Sequence, residues 1–266
     1  MGSTRHELLK TGAITLIATT SGAAAALNAA QPPADSPGGR GDAERFTAGR
    51  GEYERDAAAI YVRHWQQTRE TVAALKRKYE DAVYGRVDIW DLVPKLAFCV
   101  DPTDRTLYCT TQLIHTQQVV AGMEADGLQD PDIYLAAVLH DLGKVLLLQA
   151  EAPENVVCAN TPIGVYTEGI GLDNVIFQWN HDEFIYSRVK DYVPDHVAWL
   201  VRYHSIRSKP SIGLMDARDR SYHEAYLKPF HHYDLGTKSV CFLPPQDVLD
   251  RYRDLVSQYF PKPILI

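Results

Sequence analysis

The stretch Asp132 to Gln149, Asp-Ile-Tyr-Leu-Ala-Ala-Val-Leu-His-Asp-Leu-Gly-Lys-Val-Leu-Leu-Leu-Gln, limits what this chain can fold into more than any other. Asp130-Pro131 ahead of it has the form of a helix start, with Asp as N-cap and Pro at the first helical position. The run behind is apolar almost all round, which predicts a buried helix reaching Gln149. Yet it carries His140, Asp141 and Lys144. Adjacent His and Asp in an apolar helix cost several kcal/mol if left unpaired. A metal ion removes that cost, since imidazole and carboxylate are natural metal ligands. A hydrogen-bonded His-Asp pair in a core would remove it too, and the dipeptide alone does not choose between the two.

With 266 residues the chain has room for one large domain or two small ones, and for a sizeable core. Its net charge of −7 argues against general nucleic-acid binding. Cys99, Cys109, Cys158 and Cys241 form no CxxC pair, so neither a zinc knuckle nor a disulfide scaffold is expected, and free buried thiols are.

Residues 1–30 differ from the rest. Arg5 and Lys10 precede a small-residue, mostly apolar stretch from Thr11 to Ala30 that lacks acidic residues. That layout fits an export signal or an Ala-rich disordered extension. Thr4 to Lys10 is similar to a twin-arginine signal in which His6 replaces the second arginine. The location is therefore cytoplasmic or exported, and the stretch is too rich in Thr, Ser, Gly and Asn for a stable membrane span. Residues 31–51, rich in Pro, Gly, Ala and Asp, are expected to form a flexible linker, with one folded domain over 52–266.

Tyr61, Trp65, Thr68, Val72, Leu75 and Tyr79 recur at spacings of four and three and predict one face of a long amphipathic helix. His64 beside it is expected at the surface or behind a ligand. Short helices follow over Val87–Leu96, ended near Pro94, and Thr110–Ala125, which carries His115. Asp101 to Asp104 is a turn. Asn155–Leu172 is loop-like. Further helices are expected over Val175–Val189, with His181-Asp182-Glu183, over Asp195–His204, and over Pro245–Tyr259. No alternating strand run, P-loop or repeat appears, so the fold class is mainly α.

In order, His115, His140-Asp141, His181, His204 and Asp234 supply four histidines and two carboxylates, each in an apolar or aromatic setting. Histidine and carboxylate without cysteine suit iron or manganese better than structural zinc. Six ligands exceed the needs of one ion that keeps an open position. Two ions bridged by a carboxylate would use them all, and Asp141 is the natural bridge.

This order resembles the HD-domain superfamily, whose members are helical bundles with a buried metal site. The two extra histidines mark its dinuclear branch. Within it the chain is similar to the myo-inositol oxygenase family. The similarity lies in His140-Asp141-Leu142-Gly143-Lys144-Val145-Leu146, Asn180 to Tyr186, Arg202-Tyr203-His204-Ser205, Tyr233 to Lys238 and the tail from Tyr259 to Ile266. It runs from about Arg45 to Ile266.

The resemblance implies a non-haem di-iron centre, Fe(II)/Fe(III), that uses O2 to cleave a cyclic polyol, myo-inositol to D-glucuronate or a related cyclitol. By match, one iron takes His115, His140, Asp141 and Asp234, and the other Asp141, His181 and His204. Substrate contacts match at Asp101, Thr103, Lys144, Ser205 and Lys238, with Lys144 also in a catalytic role. A surface lysine at a helix C-terminus, set against the helix dipole, is the other reading of Lys144. The family arginine near the N-terminus corresponds to Arg45 or Arg50. Where the family has Gly-Asp, this chain has Cys158-Ala159, and the loop from Gly164 to Asn180 is shorter than in the animal enzymes. Partners implied are the polyol and O2, with a monomer expected. The competing function is an HD-type metal-dependent phosphohydrolase, in which two metals activate water against a phosphate ester.

Overall fold

Asp130 caps its helix as its sequence requires: the side chain accepts from the amides of Asp132 and Ile133, with Pro131 in the first turn. The computed structural model describes residues 56–104, 106–107 and 110–266. Residues 1–51, which hold the expected leader and linker together with Arg45 and Arg50, lie outside the described residues, as does Cys109. Among the described residues no helix is long and apolar enough to cross a membrane.

The chain runs through helix α1 over residues 56–65, α2 Arg69–Lys78, strand β1 Arg86–Val87, α3 Ile89–Leu92 and a 3-10 helix Val93–Phe98. Then come α4 Gln112–Ala125, α5 Pro131–Leu139 and a 3-10 helix Leu142–Gln149. The second half holds α6 His181–Val189, α7 Asp195–Tyr203, α8 Lys209–Gly213, α9 Ala217–Tyr222, a π turn His223–Leu227, α10 Lys228–Gly236 and α11 Arg253–Tyr259. Strand β2, Ile264–Leu265, pairs antiparallel with β1. The fold is thus the mainly helical bundle expected, with a two-stranded clasp that the sequence did not announce.

The core is built where the site elements meet. α5 packs on α4 and α7, α6 packs on α7 and on Leu142–Gln149, and α10 packs on α4. Leu135, Ala136, Leu139, Leu142, Val145 and Leu146 are fully buried, as an all-round apolar run predicts. The tail is held at its end: Ile266 accepts from the amides of Val83 and Tyr84 through its carbonyl oxygen, at 2.6 and 2.7 Å.

Four expected helices are shorter than their apolar spacing suggests. The Asp132–Gln149 helix stops at Leu139. Asp141 leaves the helical region at φ −99°, ψ 1°, and a tighter 3-10 segment follows. That departure lets Gly143 lie against the backbone of His181, where an added Cβ would come within 2.2 Å of its carbonyl oxygen. The Tyr61–Tyr79 helix is broken at 66–68. Thr68 caps α2 by accepting from Thr71, and Gln67 turns inward to bond both the amide (2.7 Å) and the carbonyl (3.1 Å) of Trp179. Val72, Leu75 and Tyr79 of the stripe are buried, but Trp65 is 58% exposed. Val175–Val189 begins only at His181. Before it the chain is extended and pairs Phe177 with Pro162, until Asn180 caps α6. Pro245–Tyr259 is helical from Asp250, becoming α-helix at Arg253.

The α-helix of the Val87–Leu96 stretch ends at Leu92, two residues before Pro94, which sits in the first turn of the 3-10 helix Val93–Phe98 that follows. His64 is not at the surface. It is fully buried, with Nδ1 2.7 Å from the Glu154 carbonyl and Nε2 3.1 Å from that of Ala159. Cys99 and Cys158 are free and buried, whereas Cys241 is exposed.

Candidate metal centre

The six expected ligands come from five places in the bundle. His115 stands in the first turn of α4, behind the Thr111 cap, and His140 and Asp141 follow the end of α5. His181 is the first residue of α6, His204 follows the end of α7, and Asp234 lies in α10. The six are all buried. Three of the four histidines are oriented by main-chain carbonyls on Nδ1: His140 by Ala137 (2.8 Å), His181 by Val156 (2.5 Å) and His204 by Val201 (3.0 Å). A carbonyl only accepts, so each Nδ1 carries a proton and each Nε2 is turned to the site. That is how proteins prepare imidazole for a metal.

Two clusters result, His115–His140–Asp141 and Asp141–His181–His204, each with ligand atoms within 4.8 Å of one another. Asp141 belongs to both. Its Oδ2 lies 3.3 Å from His140 Nε2 and 3.5 Å from His115 Nε2. Its Oδ1 lies 3.1 Å from His181 Nε2 and 3.7 Å from His204 Nε2. Asp234 Oδ1 joins the first cluster at 3.0 Å from His115 Nε2.

The electrostatics ask for cations here. Burial pushes His115 down to about 4, and the Lys238 charge adds to this, so the ring is neutral and ready as a ligand. Burial works against a charge on His181 as well, but Asp182 and Asp141 overcome it and hold that imidazole up at about 9. Without a metal, a proton therefore supplies the positive charge that the carboxylates demand. Burial opposes ionisation of Asp141 and Asp234 too. Lys144 and His140 beside the first, and Lys238 and His115 beside the second, nevertheless hold both well below the usual carboxylate range. Asp234 Oδ2 is buried without a hydrogen bond among the described residues. Four inward nitrogens, two ionised carboxylates and an orphaned carboxylate oxygen fit a pair of metal ions better than a hydrogen-bonded core.

The clusters open on a cleft of about 310 Å³, small for a ligand site. Asp101, Thr103, Lys144, Ser205 and Lys238 all line it. Lys144 is buried, not at the surface, with Gln112 Oε1 at 2.9 Å and both Asp141 Oδ2 and Asp101 Oδ2 at 3.1 Å. Burial disfavours its charge, but Asp141 and Asp101 raise its pKa, so it stays an ammonium. Thr103 donates to Asp101 Oδ1 at 2.7 Å. Ser205 lies between Asp182 Oδ2 and Asn160 Oδ1. Lys238 reaches Asp104 Oδ2 at 2.7 Å.

Three cleft residues, Asp104, Tyr61 and Arg207, and the fully buried Asp182 behind it were not singled out from the sequence. Asp182 had a readable signal, because His181-Asp182 repeats the His140-Asp141 dipeptide. Its Oδ1 lies 2.9 Å from His181 Nε2 and 3.7 Å from His204 Nε2. In the sequence Tyr61 falls on the core stripe, and Arg207 carries no assignment.

The model of one protein family, myo-inositol oxygenase, matches residues 54–161 and 152–266. Inositol oxygenase 1 of Arabidopsis thaliana is 30% identical over 250 residues, 79% of this chain and 80% of that protein. The inositol oxygenase of Danio rerio is 23% identical over 246 residues, 79% of this chain and 88% of its own length. That of Dictyostelium discoideum is 23% identical over 262 residues, 83% of this chain and 89% of its own. With a buried His/Asp centre and a family match spanning residues 54–266, the chain belongs to the myo-inositol oxygenase family and is an enzyme of the oxygenase class.

Proposed function

We propose that this protein is a non-haem di-iron oxygenase that uses O2 to cleave the ring of a cyclic polyol, myo-inositol or a related cyclitol. The observation that carries the reading is Asp141. One carboxylate faces two histidines with each oxygen, at the floor of a cleft lined by polyol-compatible groups. The relatives' names supply the substrate class. In the reaction a vicinal pair CHOH–CHOH and O2 become a carboxylic acid, an aldehyde and water. The C–C bond breaks and O2 takes up four electrons. For myo-inositol both new ends stay on one chain, giving glucuronate.

His115, His140, Asp141 and Asp234 would hold one iron, and Asp141, His181 and His204 the other. When bound, the pair would supply Lewis acidity toward the diol and a redox path by which the diol's electrons reach O2. The protein's own groups do the rest. Asp101 and Thr103 offer an acceptor and a hydroxyl to substrate hydroxyls, and Lys238 offers an ammonium. Lys144 holds its charge between Asp141 and Asp101, fixing both and lowering the basicity of the bridging carboxylate. Ser205, tied to Asp182, positions a hydroxyl at the cleft wall beside His204. The buried lining keeps bulk water from the reacting carbons.

The test is oxygen uptake by the iron-loaded protein with myo-inositol, read beside phosphate release from phosphate esters. Uptake matched one-to-one by glucuronate supports the reading. Phosphate release without oxygen uptake would replace it with metal-dependent phosphate-ester hydrolysis. Electron paramagnetic resonance of the partly oxidised protein gives the second check: the expected signal is that of a spin-coupled iron pair, altered by the polyol.

A further inference from the structure

Lys144, Lys238 and Arg207 bring three cations to the metal cleft, and two of them are engaged. Lys144 has three acceptors within 3.1 Å, as many as it has protons. Lys238 is bound to Asp104. Arg207 differs. Among the described residues its nearest carboxylate oxygen is Asp234 Oδ2, at 3.9 Å, beyond hydrogen-bond range, and its side chain is 48% exposed. Its backbone is well placed nonetheless, since Ile206 before it is fully buried and donates to the Tyr203 carbonyl at 3.0 Å. The planar fork of an arginine matches a carboxylate or a phosphate with two parallel hydrogen bonds.

The cleft also lacks an acceptor where Ala159 lines it. That residue presents a methyl group, and its carbonyl is turned back to His64 Nε2 at 3.1 Å. Charge points the same way. Asp101, Asp104, Asp141 and Asp234 face three cations, so two metal cations leave the loaded cleft net positive. A neutral polyol would leave the Arg207 fork facing water, whereas an anionic substituent would meet it.

We propose that Arg207 makes this a site for a cyclic polyol bearing an oxyanion, a carboxylate or a phosphate, with the anion on Arg207 and the diol at the metals. The ring-opening chemistry rests on the oxygenase reading above; the binding preference does not. The probes are myo-inositol, myo-inositol 1-phosphate and quinate, a carboxylated cyclitol. Their binding to the iron-loaded full chain is measured by calorimetry without O2. At low salt at least one anionic probe is expected to bind tenfold or more tighter than myo-inositol. Arg207→Gln should shrink that ratio by roughly tenfold to a hundredfold, the worth of charge-assisted hydrogen bonds. Arg207→Lys should recover part of it, having the charge without the fork. Whichever anionic probe loses more in Arg207→Gln identifies the oxyanion.

Two results overturn the proposal: both anionic probes bind no tighter than myo-inositol, or the preference persists unchanged in Arg207→Gln, which would assign the anion to the metals alone. If Arg207→Gln does not fold, the Arg207→Lys ratio decides in the same way. Oxygen uptake is then measured with all three probes. Its absence throughout would sink the oxygenase reading while leaving the binding result standing.

Discussion

Asp141 is the residue on which the two candidate metal clusters depend, because among the described residues it alone belongs to both. Asp141→Ala is expected to reduce iron from two per chain toward none. Asp234→Ala should empty mainly the site built by His115 and His140. Metal analysis on the purified variants decides; two fully occupied irons in Asp141→Ala would break the assignment. Gly143 matters for a different reason. An added Cβ would sit 2.2 Å from the His181 carbonyl oxygen and 2.8 Å from its carbonyl carbon, both backbone atoms that cannot rotate away. Gly143→Ala must therefore push the start of α6 from the end of α5. Overpacking of this kind costs about 1–3 kcal/mol, and here it also separates His181 from Asp141. The expected result is a lower Tm together with iron loss from the His181–His204 site before the other. The six candidate ligands are legible in the sequence because a buried His or Asp is costly enough to stand out in an apolar run. Arg207 and Tyr61 are not, since an arginine in a turn and a tyrosine on a helix stripe are ordinary, and only the closing of the cleft gives them a role.

At the scale of elements, sequence periodicity located the helices better than it located their ends. α5 begins where Asp130-Pro131 demands, but it stops nine residues into its run, although the apolar pattern continues through Leu148. Hydrophobic periodicity records burial, and Leu142–Gln149 is buried for the most part as a 3-10 helix. What ends the α-helix is long-range: the fit of Gly143 against His181, which local spacing cannot encode. The break at 66–68 has the same origin, since Gln67 leaves the helix to bond Trp179, more than a hundred residues away. A second long-range tie joins α2 to the segment after the metal ligands. Glu151 accepts from Lys78, Tyr79 and Asn155. Burial alone would raise its pKa, but the bonds from Asn155, Lys78 and Tyr79 hold it below the usual glutamate range. A depressed carboxylate gives its stability fully above the unfolded pKa of about 4.3 and loses it as pH falls through the folded value. Glu151→Gln should therefore cost about 1–3 kcal/mol at pH 7, and the gap from the natural chain should narrow steadily below about pH 5. Denaturant unfolding of the two proteins at pH 7, 5 and 3.5 measures this. A gap independent of pH would show that Glu151 contributes only by its shape.

For the whole molecule, the centre should be a source of stability as well as of chemistry. Its ligands come from α4, the α5 end, α6, the α7 end and α10, so no part of the site survives unfolding of the bundle. A metal bound by the folded chain alone stabilises it by about 2.7 kcal/mol for each site when free metal is a hundredfold above Kd. For a chain of this size 1 kcal/mol moves Tm by about 2–4 °C. Each filled site should thus raise Tm by roughly 5–11 °C, and two by about twice that. Stripping the iron with a chelator should lower Tm accordingly, and returning it should restore the value. The carboxylates then face one another without metal, balanced by Lys144, Lys238 and the proton on His181. With those internal cations beside the carboxylates, the expected outcome is a cooperative melt at lower temperature, not a disordered chain. Asp141→Ala supplies the control, because its Tm should no longer respond to iron. If chelation leaves the Tm of the natural protein unchanged, the six residues do not bind metal in the folded state, and the centre would have to be explained as a core network of hydrogen bonds.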